Sequence, residues 1–147
     1  MTGRHLTTAD VAEKLGVSPD DVDVLQAYDC YTYTILVTLE DYGFCKKGEG
    51  GHYVSDGTIK LGGKRPNNTS GGHLCEGYTH GIAMVIENVR QLRHDADDSC
   101  PIGPDGKRQH TYDYREGGCR QVRKCEVSTN MGWANPGTGS AMVMRNE

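Results

Sequence analysis

Residues 21–51 read DVDVLQAYDCYTYTILVTLEDYGFCKKGEGG, and the change of period inside this stretch decides the fold class. Val22, Val24, Leu25 and Ala27 follow the turn chemistry of Pro19-Asp20-Asp21 and predict a short buried strand. From Cys30 to Tyr42 the apolar residues Ile35, Leu36 and Leu39 recur at helical spacing. The β-branched content there would also suit a strand. The stop at Gly43 and the acidic Asp29 near the start favour a helix. A buried strand leading directly into a helix is the building unit of a layered α/β domain.

Outward from this unit the pattern continues. Thr8 to Leu15 predicts a short helix capped by Thr7 or Thr8 and ended at Gly16. Residues 46–72 are glycine-rich and read as loop, with a small hairpin across Ser55-Asp56-Gly57. The strongest helix is YTHGIAMVIENVRQLR, Tyr78 to Arg93. In it Ile82, Val85, Ile86, Val89 and Leu92 share one face, and Arg90 and Arg93 favour the C-terminal end. Residues 94–118, with Pro101, Pro104 and an Asp105-Gly106 turn, read as a surface excursion. CRQVRKCEVST (119–129) and SAMVMR (140–145) alternate as strands do, around the turn-rich NMGWANPGTG. The expected order is α-β-α-loop-α-excursion-β-β.

Composition bounds the function. Sixteen Lys+Arg against 20 Asp+Glu leave a net charge of −4, which is no electrostatic footprint for nucleic acid. No apolar run approaches the ~20 residues of a membrane-spanning helix, and MTGRHLTTAD lacks the apolar core of a secretory signal. A cytoplasmic protein is the expectation. Leu, Ile, Val and Phe number only 25 of 147 residues, whereas Gly numbers 20. A core this thin fits a domain that completes its packing against another surface. The six cysteines form no CxxC pair and are expected as free thiols. Six histidines are present, but no ligand spacing supports zinc, so no metal is expected.

Three segments in order carry a resemblance: residues 21–51, PNNTSGGHLCEGYTHG at 66–81 and GTGSAMVMR at 137–145. Together they resemble the C-terminal half of a thiolase-superfamily protein of the sterol carrier protein thiolase branch. The resemblance covers nearly all of residues 7–145. It implies a layered α/β/α fold with a mixed sheet flanked by helices, residues 1–147 forming a single domain, and the N-terminal half of the family fold absent. The family's Asn-x-x-Gly-Gly run is Asn68 to Gly72, and its Gly-His-Pro helix start is Gly77-Tyr78-Thr79. Tyr78 therefore replaces the thiolase His. Tyr28 stands where thiolases carry the Asn or His of an oxyanion hole, and no cysteine falls near Trp133 to Asn135. Thiolase chemistry lacks its parts here.

The paired replacement by tyrosine resembles the steroid side-chain-cleaving aldolases. That resemblance implies retro-aldol cleavage of a β-hydroxyacyl-CoA side chain to propionyl-CoA and a ketosteroid. Tyr28 and Tyr78 would be the acid and base, in either assignment. Asp29, Asn68, His73 and His80 are candidate orienting or oxyanion-stabilising groups. Asp29 serves equally well as a helix-start acid, His80 as a structural histidine and Cys75 as a small packed residue. Gly71, Gly72, Gly77, Gly137 and Gly139 would allow close backbone approach by substrate or strand. No covalently bound cofactor is implied, and coenzyme A enters as the thioester of the substrate. The implied partners are a thiolase-like N-terminal half or second chain, a small OB-fold/zinc-ribbon protein, and a dimeric assembly. Two other readings stand beside the lyase: a non-catalytic acyl-CoA-binding scaffold, and an acyltransferase whose nucleophile lies on the missing half.

Overall fold

The computed structural model describes residues 14, 16–75, 77, 79–111, 118–133 and 139–146. Its centre is β1 (Val24–Ala27), a strand buried at all four positions. Because successive side chains point to opposite faces, each face of β1 serves a different layer. Leu25 and Ala27 join Val22, Ile35, Leu39 and Met131 in one apolar cluster. Val24 joins Leu92, Val122 and Cys125 in a second, smaller one. β1 pairs in parallel with β2 (Val127–Trp133), with Val24 opposite Ser128 and Ala27 opposite Met131. β2 pairs antiparallel with β3 (Gly139–Arg145). On the other edge of β1, Leu25 N–H donates to Pro66 O (2.9 Å) and Asn68 N–H to Leu25 O (3.0 Å). The segment at 66–68 thus flanks β1 like a rudimentary strand. The result is a mixed α/β domain with a three-stranded mixed sheet.

The strand-to-helix reading of residues 22–42 holds: α1 spans Thr32–Asp41, and Gly43 stops the chain beyond it at φ +78°. The hairpin expected across Ser55-Asp56-Gly57 is instead a helix, α2 (Gly50–Ser55). The reason is a tertiary cap. Glu40 Oε1 on α1 accepts the Gly50 N–H at 2.9 Å, while Tyr53 and Val54 pack on the larger cluster. Local turn propensity at Asp56-Gly57 then serves to end α2 rather than to reverse a strand, with Gly57 at φ +87°. The helix expected at Thr8–Leu15 lies outside the described residues apart from Lys14, which is helical.

α3 (Ile82–Arg93) starts four residues later than its pattern predicts, behind a His80-Gly81 turn with both residues at positive φ. Its buried face also differs. Met84, Glu87, Asn88, Gln91 and Leu92 point inward, whereas Ile82 and Ile86 are exposed. A polar network explains the rotation. Thr69 Oγ1 donates to Glu87 Oε1 (2.8 Å) and accepts from Gln26 Nε2 (3.1 Å), and Gln91 Nε2 reaches Glu87 Oε1 and Arg120 O. Buried hydrogen bonds of this kind are costly to leave unmade, so they outrank two isoleucines.

The strand expected from Cys119 begins only at Val127. Residues 119–126 are drawn off the ladder because Val122 N–H donates to Gln91 Oε1 and Gln121 Nε2 to Gln91 O. Conversely β2 runs through Asn130–Trp133, read from sequence as turn. The excursion does carry its Asp105-Gly106 turn, closed by a bridge between Ile102 and Arg108. Part of it is buried: Ala96 and Cys100 are sealed in. The expectation of free thiols fails at one pair. Cys100 and Cys119 are joined as a disulfide, while Cys30, Cys45, Cys75 and Cys125 are free. The excursion closes on itself at that point, which sequence spacing does not reveal.

Candidate active site

In an open sheet with parallel pairing, ligands approach beyond the carboxyl ends of the strands. β1 ends at Ala27, and Tyr28 and Asp29 follow immediately. Tyr28 N–H still donates to Met131 O (2.9 Å), and its carbonyl accepts from Thr34 Oγ1 (3.0 Å), so its backbone is fixed on both sides. Its half-buried ring lies over Gly81, where a Cβ would come 3.5 Å from Tyr28 Cδ2. The His73 ring sits 4.9 Å from the Tyr28 ring, and His80 lies 6.3 Å beyond His73, centroid to centroid. Three proton-exchanging rings therefore line one end of the sheet. His73 is buried and His80 exposed, so the row leads from core to surface.

Asp29 and Asn68 hold this row from below. The buried Asp29 carboxylate accepts His73 N–H on Oδ1 (2.7 Å) and Leu74 N–H on Oδ2 (3.4 Å). Asn68, at φ +51°, donates Nδ2 to Ala27 O (2.9 Å) and accepts Ala27 N–H on Oδ1 (3.0 Å). Its amide is thereby committed to the end of β1. Asn67 Oδ1 accepts the same Ala27 N–H at 3.1 Å. Gly71 (φ +103°) and Gly72 (φ +69°) let the chain turn tightly between Asn68 and His73. A Cβ on Gly72 would fall on Asp29 Oδ2 and the Asn68 side chain. Backbone approach here is thus to the protein's own carboxylate.

The structure brings Tyr28, Asp29, Asn68, Gly71, Gly72, His73 and His80 into one neighbourhood. Gly77 is exposed with open space around it, and Gly139 begins β3, where a Cβ would approach Tyr42 Oη (3.2 Å) and Gly132 O (3.3 Å). Tyr78 and Gly137 lie outside the described residues. Sequence reasoning missed Gly81, Asn67 and Thr34. A glycine directly before an apolar helix was the available signal for Gly81. The contributions of Asn67 and Thr34 are hydrogen bonds that no periodicity encodes.

Residues 5–102 match a family model described as thiolase C-terminal domain-like. Over 78 residues, 53% of this chain, it is 47% identical to a 17-hydroxy-3-oxo-4-pregnene-20-carboxyl-CoA lyase of Mycobacterium tuberculosis. Over the same length it is 41% identical to a steroid side-chain-cleaving aldolase of Thermomonospora curvata. In each case the match spans 20% of the relative's own length. Among solved structures it resembles a chain of an Ltp2-ChsH2(DUF35) aldolase, with TM-score 0.64 and 26% identity over 85% of this chain and 27% of that one. The match over residues 5–102 and the mixed α/β fold lead to one assignment: the chain belongs to the thiolase C-terminal domain-like family.

Proposed function

We propose that this chain supplies part of the active site of a retro-aldolase that cleaves a steroid β-hydroxyacyl-CoA side chain, releasing propionyl-CoA and a ketosteroid. The observation that carries the reading is its 47% and 41% identity to relatives named as a lyase and an aldolase of such side chains. The row of Tyr28, His73 and His80 at the carboxyl end of β1 supports it. In the reaction the β-hydroxyl loses its proton, the Cα–Cβ bond breaks, and its electron pair becomes the enolate of the thioester. Protonation at Cα then frees propionyl-CoA, while the former alcohol carbon leaves as the ketone. One phenol of Tyr28 and Tyr78 takes the hydroxyl proton and the other returns one to the enolate carbon. His73 and His80 are the donors nearest Tyr28 for the developing oxyanion. Asp29 and Asn68 act as positioning residues: one holds the His73 backbone, the other the end of β1. Coenzyme A enters as part of the substrate, with no covalently bound cofactor.

The reading includes a second thiolase-like chain or half, a dimeric assembly and a small OB-fold/zinc-ribbon partner. One solved structure that the chain resembles is named an Ltp2-ChsH2(DUF35) aldolase. The test uses the complete assembly. Tyr28→Phe and Tyr78→Phe should each lower kcat by ~10²-fold or more while acyl-CoA affinity is retained. Near-normal turnover in a variant removes that phenol from the mechanism. Acyl-CoA binding without any product, with every partner supplied, identifies the chain as a scaffold instead.

A further inference from the structure

The base of the 94–118 excursion gathers Cys100, His110 and Cys119, and one ligand atom from each lies within 4.8 Å of the others. It is the only such group among the described residues. Asp97 borders two of the three: its Oδ1 lies 3.5 Å from His110 Nε2 and 3.9 Å from Cys100 Sγ. His110 Nδ1 lies 3.9 Å from Cys119 Sγ and 3.2 Å from the Gln121 carbonyl oxygen. The sulfurs are buried, with Cys100 3% and Cys119 0% exposed, whereas the imidazole and carboxylate are partly open to solvent.

We propose that in the reduced protein Cys100, Cys119 and His110, the last through Nδ1, bind a zinc ion, with solvent in the fourth position. Two thiolates and an imidazole are a donor set that a tetrahedral zinc ion accepts, and the 3.9 Å between His110 Nδ1 and Cys119 Sγ suits two ligands of one such ion. A disulfide needs only the two sulfurs, whereas the imidazole of His110 beside them adds the third donor that a metal needs. Asp97 Oδ1, 3.5 Å from Nε2, supplies the outer contact that orients the ligating imidazole, and the Gln121 carbonyl lies 3.2 Å from Nδ1. Gln121 also ties the site to the core, because its Oε1 accepts Ala96 N–H and its Nε2 donates to Gln91 O. Binding displaces the two thiol protons and changes no oxidation state. The disulfide is the two-electron-oxidised form of the same pair, so the metal form requires prior reduction by an added thiol or phosphine. Nine residues separate Cys100 from His110 and eight separate His110 from Cys119. That spacing matches no common zinc motif, so only the fold reveals the site. Its role is to close the base of the excursion.

The test is independent of catalysis. The full chain is reduced, loaded separately with zinc and with cobalt(II), and desalted. Expected are one metal per chain and a tetrahedral cobalt spectrum with thiolate-to-metal charge transfer. His110→Ala should weaken zinc by at least ~10²-fold, more than loss of an outer-shell contact costs. Cys100→Ser with Cys119→Ser should abolish binding. Failure of the reduced wild-type chain to retain metal would overturn the site. So would equal metal content in the double cysteine variant, or a cobalt spectrum without thiolate bands.

Discussion

Gly72 carries two burdens at once: a left-handed backbone at φ +69° and contact with the Asp29 carboxylate and the Asn68 amide where a Cβ would be. Gly72→Ala should therefore cost about 2 kcal/mol or more in stability, through strain and displacement of Asp29 from His73 N–H. Gly51 is the matched control, since it lies in α2 with nothing near its missing Cβ. Gly51→Ala should leave stability unchanged or raise it by up to ~1 kcal/mol. Urea unfolding of both variants checks the pair, and equal midpoints would refute the account of Gly72. The Asn68-to-Gly72 run was legible in the sequence as a place where backbone comes close to something. What it meets was not legible, because Asp29 lies some forty residues away in the chain. The same limit applies to Asn68, whose amide is spent on Ala27 rather than left open to a ligand.

At the scale of elements, α1 and α2 are joined through Glu40. Amide hydrogen bonds from Gly50 and Gly48 hold its carboxyl below the usual carboxylate range. A depressed carboxylate contributes stability that is present above its unfolded value near 4.5 and is lost as pH falls through the folded value. Glu40→Gln should accordingly lower Tm at neutral pH, and the gap from wild type should close as the pH drops below about 4. A gap that stays constant with pH would assign the contact to packing alone. This cap also shows why α2 was illegible. A six-residue GGHYVS segment has no helical propensity to speak of, and a side chain on another helix creates it. β1 and α1 were legible because an apolar run and a helical period are local properties. The face of α3 was misread because Glu87 and Gln91 look solvated in one dimension, and their hydrogen bonds with Thr69 and Arg120 make them inward residues.

At the scale of the molecule, the two apolar clusters meet across β1, and Cys125 sits in the smaller one. Burial, aided by Asp23, pushes its thiol up to about 12. At pH 8 the reactive thiolate fraction is then only ~10⁻⁴. Alkylation of the reduced chain should label exposed Cys75 first and reach Cys125 only with opening of the cluster, a rate that mass mapping of labelled peptides can follow. Labelling of Cys125 at the rate of Cys75 would mean that the cluster is not closed. The sheet's wiring has a further effect, on synthesis. β1 is finished by residue 27, yet its ladder partner Ser128 to Met131 emerges about a hundred residues later. At ~5–20 residues per second the ribosome leaves the most buried strand of the molecule waiting at least ~5 s. Through that interval VLQA can pack only against α1, the 66–68 segment and α3 as each emerges. The edge of β1 that pairs with β2 therefore stays without its ladder for that whole interval.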